Sequence, residues 1–362
     1  SFWAANIQRI HYQLIYYIYF LFPLMKKFLK YAFLVFMAFL FLTIGFYLWA
    51  SSPNLSPDQY AEIYETKEVK PVSDDEEYRI LTYNIGYLSG MTNNLPIAKP
   101  RSLFENNMEL VLKNLRRIDA DLLAFQEIDY DSDRSFNIDQ HAAIGKLGYR
   151  YSAKTVNWDK RYVPFPYYPF SMHFGKIVSG QSILSKYPIV EQERIELERN
   201  QDNPFYYDSF YLDRLAQVVK IRIDGHNLVL IHVHLEAFDQ ATRILQIERL
   251  RSIYAKYCYE FPTLMLGDFN SDPRYENAGI TRLEELIKTE SAAFDRAEIK
   301  NTYNSREPTE RLDYIFYNTD FIKEVSAEIV EEFEEASDHL PVLLTFKFNT
   351  QKYGTAYRQP NP

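Results

Sequence analysis

The sequence predicts an α/β or α+β domain that is preceded by one membrane-spanning helix. Short apolar runs of strand length alternate with helical patterns over residues 78–349, as in a single domain whose helices pack on sheets. Before them lies an uncharged stretch, residues 31–50, which is long enough to cross a bilayer core of about 30 Å. Apolar residues make up 47% of the 362-residue chain, so a sizeable core can form.

The amino-terminal segment 25–52 combines a basic start with this transmembrane anchor. Three lysines within residues 26–30 precede the apolar run, so the positive-inside rule places this end in the cytoplasm and the rest of the chain outside it. The alternative is a cleaved signal peptide, whose apolar region is usually only about 7–15 residues long. We interpret residues 1–24 as an ill-defined extension, because Met25 and the lysines after it have the form of a natural start. The alternative is a first apolar segment at residues 12–24, which is short for a membrane span.

Three further segments lack helix or strand periodicity. Residues 53–77 contain three prolines and several charges, which predicts a linker that holds the domain away from the membrane. Residues 158–174 contain three prolines and many aromatic side chains. We interpret them as a long irregular loop, which either packs on its own aromatic side chains or forms a lip that faces substrate or membrane. Residues 350–362 form a C-terminal tail.

Within the domain, seven short apolar runs are predicted to be strands because they are rich in branched and aromatic side chains. They cover residues 78–83, 122–125, 182–184, 228–233, 263–266, 314–317 and 342–348. Helical patterns lie between them at residues 104–118, 244–257 and, more briefly, 282–288. Ser102 and Glu105 have the spacing of a capping box at the start of the first of these helices.

Charge is unevenly distributed along the chain. Residues 1–52 hold four basic side chains and no acidic one, so the rest carries 36 basic and 49 acidic residues, a net charge of −13. An acidic domain is a poor general ligand for nucleic acid, whose nonspecific binding depends on neutralised phosphates. The single cysteine, Cys258, excludes a disulfide scaffold and a cysteine-ligated zinc site.

Polar side chains follow the predicted strands at the points where the strands end. Asn84, Glu127, His234 and Asp268 each stand at the exit of an apolar run, and Asn270 follows two residues after Asp268. Strand ends hold side chains rigidly, which is why ligands and catalytic groups gather there in α/β sheets. Carboxylate and amide oxygens without cysteine form a hard donor set that suits Mg²⁺ or Mn²⁺.

Two segments further along the chain, residues 311–316 and 337–341, add Asp313, Asp338 and His339. A hard cation and histidines together suit attack on a phosphate ester. The metal offsets charge on the phosphoryl oxygens, and imidazole exchanges protons near neutral pH. These residue types therefore predict phosphoester chemistry.

The ordered set of motifs resembles the endonuclease/exonuclease/phosphatase superfamily, the deoxyribonuclease I-like fold, over about residues 78–349. The superfamily includes nucleases, neutral sphingomyelinases and inositol-polyphosphate phosphatases. Its most specific motifs here are GDFN at 267–270 and SDH at 337–339, which are joined by YN at 83–84, QE at 126–127, HL at 234–235 and LDYIF at 312–316. The resemblance implies a four-layer α/β/β/α sandwich of two mixed sheets.

The resemblance also implies which residues bind metal and substrate. Glu127 matches the ligand of the catalytic Mg²⁺, Asn84 lies beside both metal and phosphate, and Asp338 lies near the metal. Arg214 and Arg134 are further candidates for contact with the phosphate. The alternative for both arginines is that they only pair with nearby carboxylates.

The remaining matched residues are implied to be catalytic. Asp268 orients or deprotonates the attacking water, and Asn270 holds Asp268 and a phosphate oxygen. His234 contacts the phosphate, and His339 contacts the phosphoryl oxygens in the transition state. Asp313 orients His339.

The resulting prediction is a Mg²⁺- or Mn²⁺-dependent phosphoesterase that hydrolyses a phosphate ester by in-line attack of water. The anchor, the acidic domain and the aromatic segment favour lipid head groups as substrates. An extracytoplasmic endonuclease or exonuclease acting on nucleic acid is the alternative, and a catalytically inactive binding module is a third hypothesis. We expect the catalytic domain outside the cytoplasm, either membrane-anchored or secreted, and the sequence implies no protein partner.

Overall fold

The amino-terminal unit, Ser1–Ser52, is helical over nearly all of its described length. The computed structural model describes residues 2–67, 76–93 and 95–349. It places α1 at Phe2–Tyr16, a π-helical turn at Tyr17–Leu21 and α2 at Phe22–Ala50, so the predicted ill-defined extension is helical. By length and composition the helix Phe2–Ala50 is a candidate membrane span, and a signal sequence has the same properties.

The second unit, Pro53–Pro362, contains two mixed β-sheets. Its described strands are β1 Ala61–Glu65, β2 Tyr78–Asn84, β3 Leu122–Asp129, β4 Tyr151–Val163, β5 Gly175–Ser185, β6 Ile189–Glu196, β7 Leu215–Ile223, β8 His226–His234, β9 Thr263–Asp268, β10 Thr289–Ser291, β11 Asp313–Asn318, β12 Ile322–Ile329 and β13 Val342–Phe348. The first sheet has the order β1-β4-β5-β3-β2-β13-β12, and the second has the order β10-β11-β9-β8-β7-β6. Each sheet is mixed because β2 pairs parallel to β3 and β8 pairs parallel to β9.

Five helices lie among the described residues of this second unit. They are α3 Arg101–Ile118, α4 Gln140–Gly145, α5 Phe205–Asp208, α6 Gln240–Tyr257 and α7 Thr281–Glu284. The two long ones, α3 and α6, bury apolar side chains against the outer face of the first and of the second sheet, respectively. The layers are therefore helix, sheet, sheet and helix, as the sequence predicts.

Three apolar clusters separate the four layers, and the alternation of side chains along a strand builds them. On β2, Ile80 faces the cluster between the sheets, whereas its neighbour Leu81 packs in the cluster beneath α3. On β8, Leu230 faces the inter-sheet cluster and Ile231 packs in the cluster beneath α6. Both central strands are consequently apolar on both faces, which explains their continuous apolar runs.

All seven predicted strands are present, but the start of α3 is not as predicted. The helix begins at Arg101 with Pro100 at the N-cap position and no side-chain cap, so Ser102 lies inside the first turn. Residues 158–174 also differ from the prediction, because residues 158–163 belong to β4. The irregular loop is therefore shorter and covers residues 164–174, with one 3₁₀ turn at Phe170–Met172.

The first part of the predicted linker is folded onto the second unit. Strand β1 pairs antiparallel with β4, and the Asp159 carboxylate on β4 accepts hydrogen bonds from the backbone N–H groups of Asn54 at 2.8 Å and Leu55 at 2.9 Å. A linker that extends over residues 53–77 is therefore wrong at its start. Residues 68–75 of that segment and the predicted tail lie outside the described residues.

Candidate active site

The predicted site residues meet at one edge of the two sheets, around a cavity of about 270 Å³. The cavity is lined by seven of them, namely Glu127, Arg214, His234, Asp268, Asn270, Asp338 and His339. Strand register explains the convergence, since Asp268 at the end of β9 pairs with His234 of β8 on one side and with Asp313 of β11 on the other. Side chains from distant parts of the sequence thereby become neighbours.

Asp268 lies at the centre of the cavity wall and is almost fully buried. Its Oδ2 atom accepts a hydrogen bond from Nδ2 of Asn84 at 2.9 Å, and its Oδ1 atom accepts one from the backbone N–H of Asn270 at 2.8 Å. The same Oδ2 atom lies 3.6 Å from Nε2 of His234 and 3.8 Å from Nε2 of His339. Burial raises the pKa of Asp268, although the neighbouring His339 opposes this shift.

The close approach of β9 to β8 requires a glycine immediately before Asp268. Gly267 has a φ of +134°, and a Cβ atom there would lie 2.0 Å from the carbonyl oxygen of Val233. A side chain at this position would displace the strand that carries Asp268. The first residue of the GDFN motif is therefore structural, whereas its second residue faces the cavity.

His339 is held by a carboxylate on the opposite side from the cavity. Its Nδ1 atom lies 2.9 Å from Oδ2 of Asp313, and its ring stacks at a tilt over Tyr303 with centroids 5.0 Å apart. Burial alone would lower the pKa of His339, but the carboxylates of Asp313 and Asp268 raise it well above 6.5. The imidazole is therefore positively charged at neutral pH, with Nε2 as a donor near Asp268.

The surroundings of His234 shift its pKa in the opposite direction from that of His339. Nη1 of Arg214 lies 2.7 Å from its Nε2 atom, and Arg214 is itself held by Tyr211 at 3.2 Å and by Glu236 at 3.4 Å. Burial and the arginine charge lower the pKa of His234 well below 6.5. Its Nδ1 atom has no hydrogen-bond partner among the described residues. His234 is therefore neutral, and the cation on this side of the cavity is Arg214.

His232, two residues earlier on β8, does not line the cavity. It is buried between Gln126, which contacts its Nε2 atom, and Gln217, whose Oε1 atom lies 3.0 Å from its Nδ1 atom. Burial lowers the pKa of His232 to about 3, so the imidazole is neutral. It supports the inter-sheet packing behind His234.

Glu127 reaches the cavity because β3 bulges at this residue. The register of β3 against β5 shifts between Phe125 and Ile128, and Glu127 has a φ of +49°. A bulge turns a side chain away from the direction that regular alternation would give it. The bulge, and not the regular alternation of side chains along β3, therefore explains why Glu127 lines the cavity.

Glu127, which is partly buried, and Asp338, which is buried, are two carboxylates that share one amide donor. Nδ2 of Asn93 donates to Oε2 of Glu127 at 2.9 Å and to Oδ1 of Asp338 at 3.3 Å, and Nδ2 of Asn84 lies 3.4 Å from Oε1 of Glu127. Burial and the charge of Asp338 raise the pKa of Glu127. Two carboxylates that repel each other in a buried position are stabilised by a divalent cation.

A second group of possible ligand atoms lies beside this pair. Oxygen and nitrogen atoms of Asp268, Asp313 and His339 all lie within 4.8 Å of one another. However, Asp313 already pairs with Nδ1 of His339, which leaves the carboxylates of Glu127 and Asp338 as the better donors for a cation. The candidate site therefore has a carboxylate side and an imidazole side.

Two candidate residues have partners of their own, and a third residue of the site was not predicted. Nδ2 of Asn270 donates to the carbonyl oxygen of Leu235 at 3.0 Å, so this amide is held by the backbone while its own N–H holds Asp268. Arg134 pairs with Asp129 at 2.9 Å and lies over the ring of Tyr87, which lines the cavity, but Arg134 itself does not line it. Asn93 was missed because it follows no strand and lies in an irregular segment without periodicity.

An aromatic groove of about 420 Å³ adjoins the cavity and shares Trp158, Tyr211 and Phe238 with it. The rest of its lining comes from the loop after β4 and from the segment around α5, namely Val163, Pro164, Phe165, Tyr167, Tyr206, Tyr207 and Phe210. The polar cavity therefore opens onto a surface made almost entirely of aromatic and apolar side chains.

A four-layer sandwich with carboxylates, amides and histidines at its strand ends defines a class of α/β proteins with a polar site at one sheet edge. Residues 81–339 match the endonuclease/exonuclease/phosphatase family, and the chain belongs to this family. This match confirms the resemblance found in the motifs. No curated protein sequence matches the chain.

Solved structures share the fold at low sequence identity. An endonuclease/exonuclease/phosphatase protein from Beutenbergia cavernae is 18% identical, with a TM-score of 0.56 over 75% of this chain and 72% of that one. The human Nocturnin catalytic domain with bound sulfate is 18% identical, with a TM-score of 0.52 over 82% and 100%. ANGEL2, a 2′,3′-cyclic phosphatase in complex with adenosine-2′,3′-vanadate, is 16% identical, with a TM-score of 0.50 over 80% and 98%.

Proposed function

We propose that the protein is a divalent-metal-dependent phosphoesterase that hydrolyses a phosphate ester by in-line attack of water. One observation carries the proposal: a buried carboxylate, Asp268, lies within 4 Å of the imidazoles of His234 and His339, in a cavity that also holds a carboxylate pair. Family members are typically hydrolases of phosphodiester bonds, and the chain belongs to that family.

The residues present fit a divalent cation. Glu127 and Asp338 would hold it, with the Asn84 amide beside them, because these two carboxylates of like charge lie on either side of the same Asn93 amide group. The carboxylate oxygens of Glu127 and Asp338 are hard ligand atoms of the kind that Mg²⁺ and Mn²⁺ prefer. When bound, such an ion neutralises charge on the phosphoryl oxygens and stabilises the transition state.

Asp268 is the proposed proton acceptor for the attacking water. A raised pKa makes a carboxylate a better base near neutral pH. The amide of Asn84 and the backbone N–H of Asn270 fix both carboxylate oxygens, so the base is oriented before substrate binds. Pre-positioning of this kind lowers the barrier without any rearrangement during the reaction.

His339 and Arg214 supply the positive charge that faces a phosphate. His339 is kept protonated by Asp313, so its Nε2–H can donate to a phosphoryl oxygen as negative charge develops there. Arg214 is a permanent cation on the other side of the cavity, where it contacts neutral His234. The pentavalent transition state would therefore accept hydrogen bonds from the imidazolium of His339 on one side and from the guanidinium of Arg214 on the other.

A lipid head group is the substrate class that the surroundings of the site favour. The aromatic groove next to the cavity suits an apolar or amphipathic group next to the phosphate. An amino-terminal helix that is long and apolar enough to cross a membrane would keep the domain beside lipid, with the domain outside the cytoplasm if the positive-inside rule holds. The net charge of −13 after residue 52 disfavours nucleic acid.

A nuclease or nucleotide phosphatase is the second candidate. The aromatic lining of the groove would also stack a base, and ANGEL2, a fold neighbour, was solved with adenosine-2′,3′-vanadate. An inactive binding module is disfavoured, because the matched carboxylates, amides and histidines are all present at one site.

A substrate panel separates these possibilities. Purified full-length protein in detergent would be incubated with sphingomyelin, phosphoinositides, single-stranded DNA, RNA and bis(p-nitrophenyl) phosphate, with Mg²⁺ and with EDTA. We expect release of a phosphorylated head group that EDTA abolishes and added Mg²⁺ restores. Glu127→Gln should lose Mg²⁺-dependent turnover at unchanged melting temperature. Metal-independent turnover by this variant at the wild-type rate would refute the proposal.

A further inference from the structure

We propose that an aromatic rim beside the active site docks the second unit onto the surface of a lipid bilayer. The rim consists of Tyr167, Tyr168, Phe170, Phe205, Tyr206 and Phe238. The partner is the interfacial region of a zwitterionic bilayer, the same membrane that would hold α2. This inference rests on the proposed function in one respect, since it places the site at a membrane that contains the substrate.

The rim is where the exposed rings of this unit concentrate. Among its described residues, seven aromatic side chains are more than half exposed, and six of them belong to the rim. Tyr168 and Phe238 are 81% and 79% exposed. Tyr167, Tyr206 and Phe238 line one groove, and ring contacts join Tyr168 to Phe170 and Phe205 to Tyr206. Isolated apolar side chains on a surface are common, but a cluster of exposed rings of this kind marks a binding surface.

The composition of the rim suits the membrane interface. Residues 162–174 contain no Asp, Glu, Lys or Arg, so burial of this loop among lipid head groups desolvates no permanent charge. Tyr rings carry an apolar body and a polar hydroxyl, and aromatic rings concentrate at the level of the lipid head groups. The unit is acidic overall, so a zwitterionic surface suits it better than an anionic one.

The chain connects the end of α2 directly to a segment that contacts the carboxyl end of β4. Only three residue steps separate Ala50, the end of α2, from Pro53, which is at most about 11 Å of extended chain at 3.8 Å per step. The carbonyl oxygen of Pro53 accepts a hydrogen bond from Nε of Arg161 at 3.2 Å, and Nδ2 of Asn54 donates to Asp159 at 2.7 Å. Loop 164–174 follows the same end of β4.

The same arrangement orients the active site. The groove runs from Tyr167 and Tyr206 on the rim to Trp158 and Tyr211, which also line the catalytic cavity. If the rim lies in the interface, the groove opens at the level of the head groups. A lipid phosphate would then reach Asp268 without complete extraction of its acyl chains into water.

The docking is tested by labels whose signal does not depend on catalysis. Cys258 is the chain's one cysteine, so full-length Cys258→Ser provides a background in which Tyr168→Cys carries a single environment-sensitive fluorophore. Tyr259→Cys is the matched control, because Tyr259 is 77% exposed and precedes the amino-terminal end of β9, whereas the cavity lies at the carboxyl end of that strand. Both proteins are reconstituted in phosphatidylcholine vesicles with and without doxyl-labelled lipid.

We expect doxyl lipid to quench the label at position 168 at least twofold more than the label at 259. Equal quenching at the two positions would overturn the proposal. A label at 168 that is shielded from iodide yet insensitive to doxyl lipid would also overturn it, because a protein would then cover the rim. Failure of the proposed function gives a different result, namely no hydrolysis of any substrate with quenching at 168 intact.

A second measurement addresses the catalytic consequence. Tyr168→Ser combined with Phe170→Ser changes two exposed side chains that do not line the catalytic cavity. We expect turnover of vesicle-embedded lipid to fall at least tenfold, while turnover of soluble bis(p-nitrophenyl) phosphate stays within twofold of wild type. An equal loss on both substrates would contradict a docking role.

Discussion

The two histidines of the active-site cavity lie at similar distances from Asp268 but have opposite charge states. His339 contacts Asp313, and the two carboxylates near it keep the imidazole protonated. His234 contacts Arg214, and burial together with the guanidinium keeps it neutral. The comparison shows that the partner beside each imidazole decides the direction in which its pKa is shifted.

This difference implies a division of labour. In the proposed mechanism the His339 side provides a proton donor, whereas on the His234 side the permanent cation is Arg214 and the histidine accepts its hydrogen bond. Asp268 lies between the two sides as the proposed base. Substitutions at these positions should therefore differ in size and, more tellingly, in pH dependence.

Asp268→Asn should have the largest effect, because it removes the base that both sides share. We expect turnover to fall by about 10⁴-fold, the upper range for loss of general acid–base catalysis, while the amide of similar shape preserves the fold. The measurement is kcat on the best substrate of the panel, with circular dichroism as a check of folding. Activity within tenfold of wild type would eliminate Asp268 as the base.

Asp313→Asn should have the next largest effect and should act through His339. Loss of the carboxylate lowers the pKa of His339, so the protonated form is lost at lower pH. We expect a drop in kcat of about 10²-fold to 10³-fold at pH 8, and a descending alkaline limb of the kcat profile that moves to lower pH than in wild type.

The outcome distinguishes a positioning role from loss of structure. If Asp313 only supported the fold, kcat would decrease equally at all pH values and the alkaline limb would not move. Asp313→Glu retains the charge and should recover the position of the limb at least in part.

Arg214→Gln should have a smaller effect, since it removes a cation but leaves base and proton donor in place. We expect kcat/KM to fall by about 10-fold to 100-fold, in keeping with the loss of one charge-assisted contact of about 1.5–3 kcal/mol. Arg214→Lys should recover part of this loss. A wild-type kcat/KM in Arg214→Gln would show that the Arg214 guanidinium does not contact the phosphate.

Much of the site could be predicted from the sequence, because strand ends are marked by a change from apolar to polar residues. Asn84, His234 and Asp268 were found in this way, and register then brings them together. Asn93 could not be found, because its importance arises only from the proximity of Glu127 and Asp338 in the fold.

Parts of the fold could not be predicted from the sequence either. Six of the described strands were missed: β1, β6, β10 and β12 lie at the sheet edges, whereas β4 and β7 lie inside the sheets. Edge strands face solvent on more sides and carry polar side chains, as in the largely exposed β6. The clamp of Asp159 on residues 54–55 was likewise invisible, since it depends on a contact more than 100 residues apart.

The smallest predicted effect extends the comparison to His232, which is neutral without a nearby arginine. Burial lowers its folded-state pKa from 6.5 to about 3, so between these pH values the unfolded chain binds one more proton than the folded protein. Stability contributed in this way is present above pH 6.5 and is lost as the pH falls toward 3. The geometry agrees, since Nε2 faces the Gln126 amide nitrogen and has no need of a proton.

His232→Gln should therefore flatten the dependence of unfolding free energy on pH rather than simply lower it. Removal of one titrating group reduces the slope between pH 6 and pH 4 by about 1.4 kcal/mol per pH unit. Denaturant unfolding of the full-length protein in detergent at several pH values measures this slope, and Cys258→Ser serves as the control, with no expected change. A slope identical to wild type in His232→Gln would mean that the imidazole is charged in the folded state, so that burial at this position does not suffice to keep a histidine neutral. His234 would then be the remaining neutral histidine to compare with protonated His339. Its neutrality would be explained by the charge of Arg214 and not by burial.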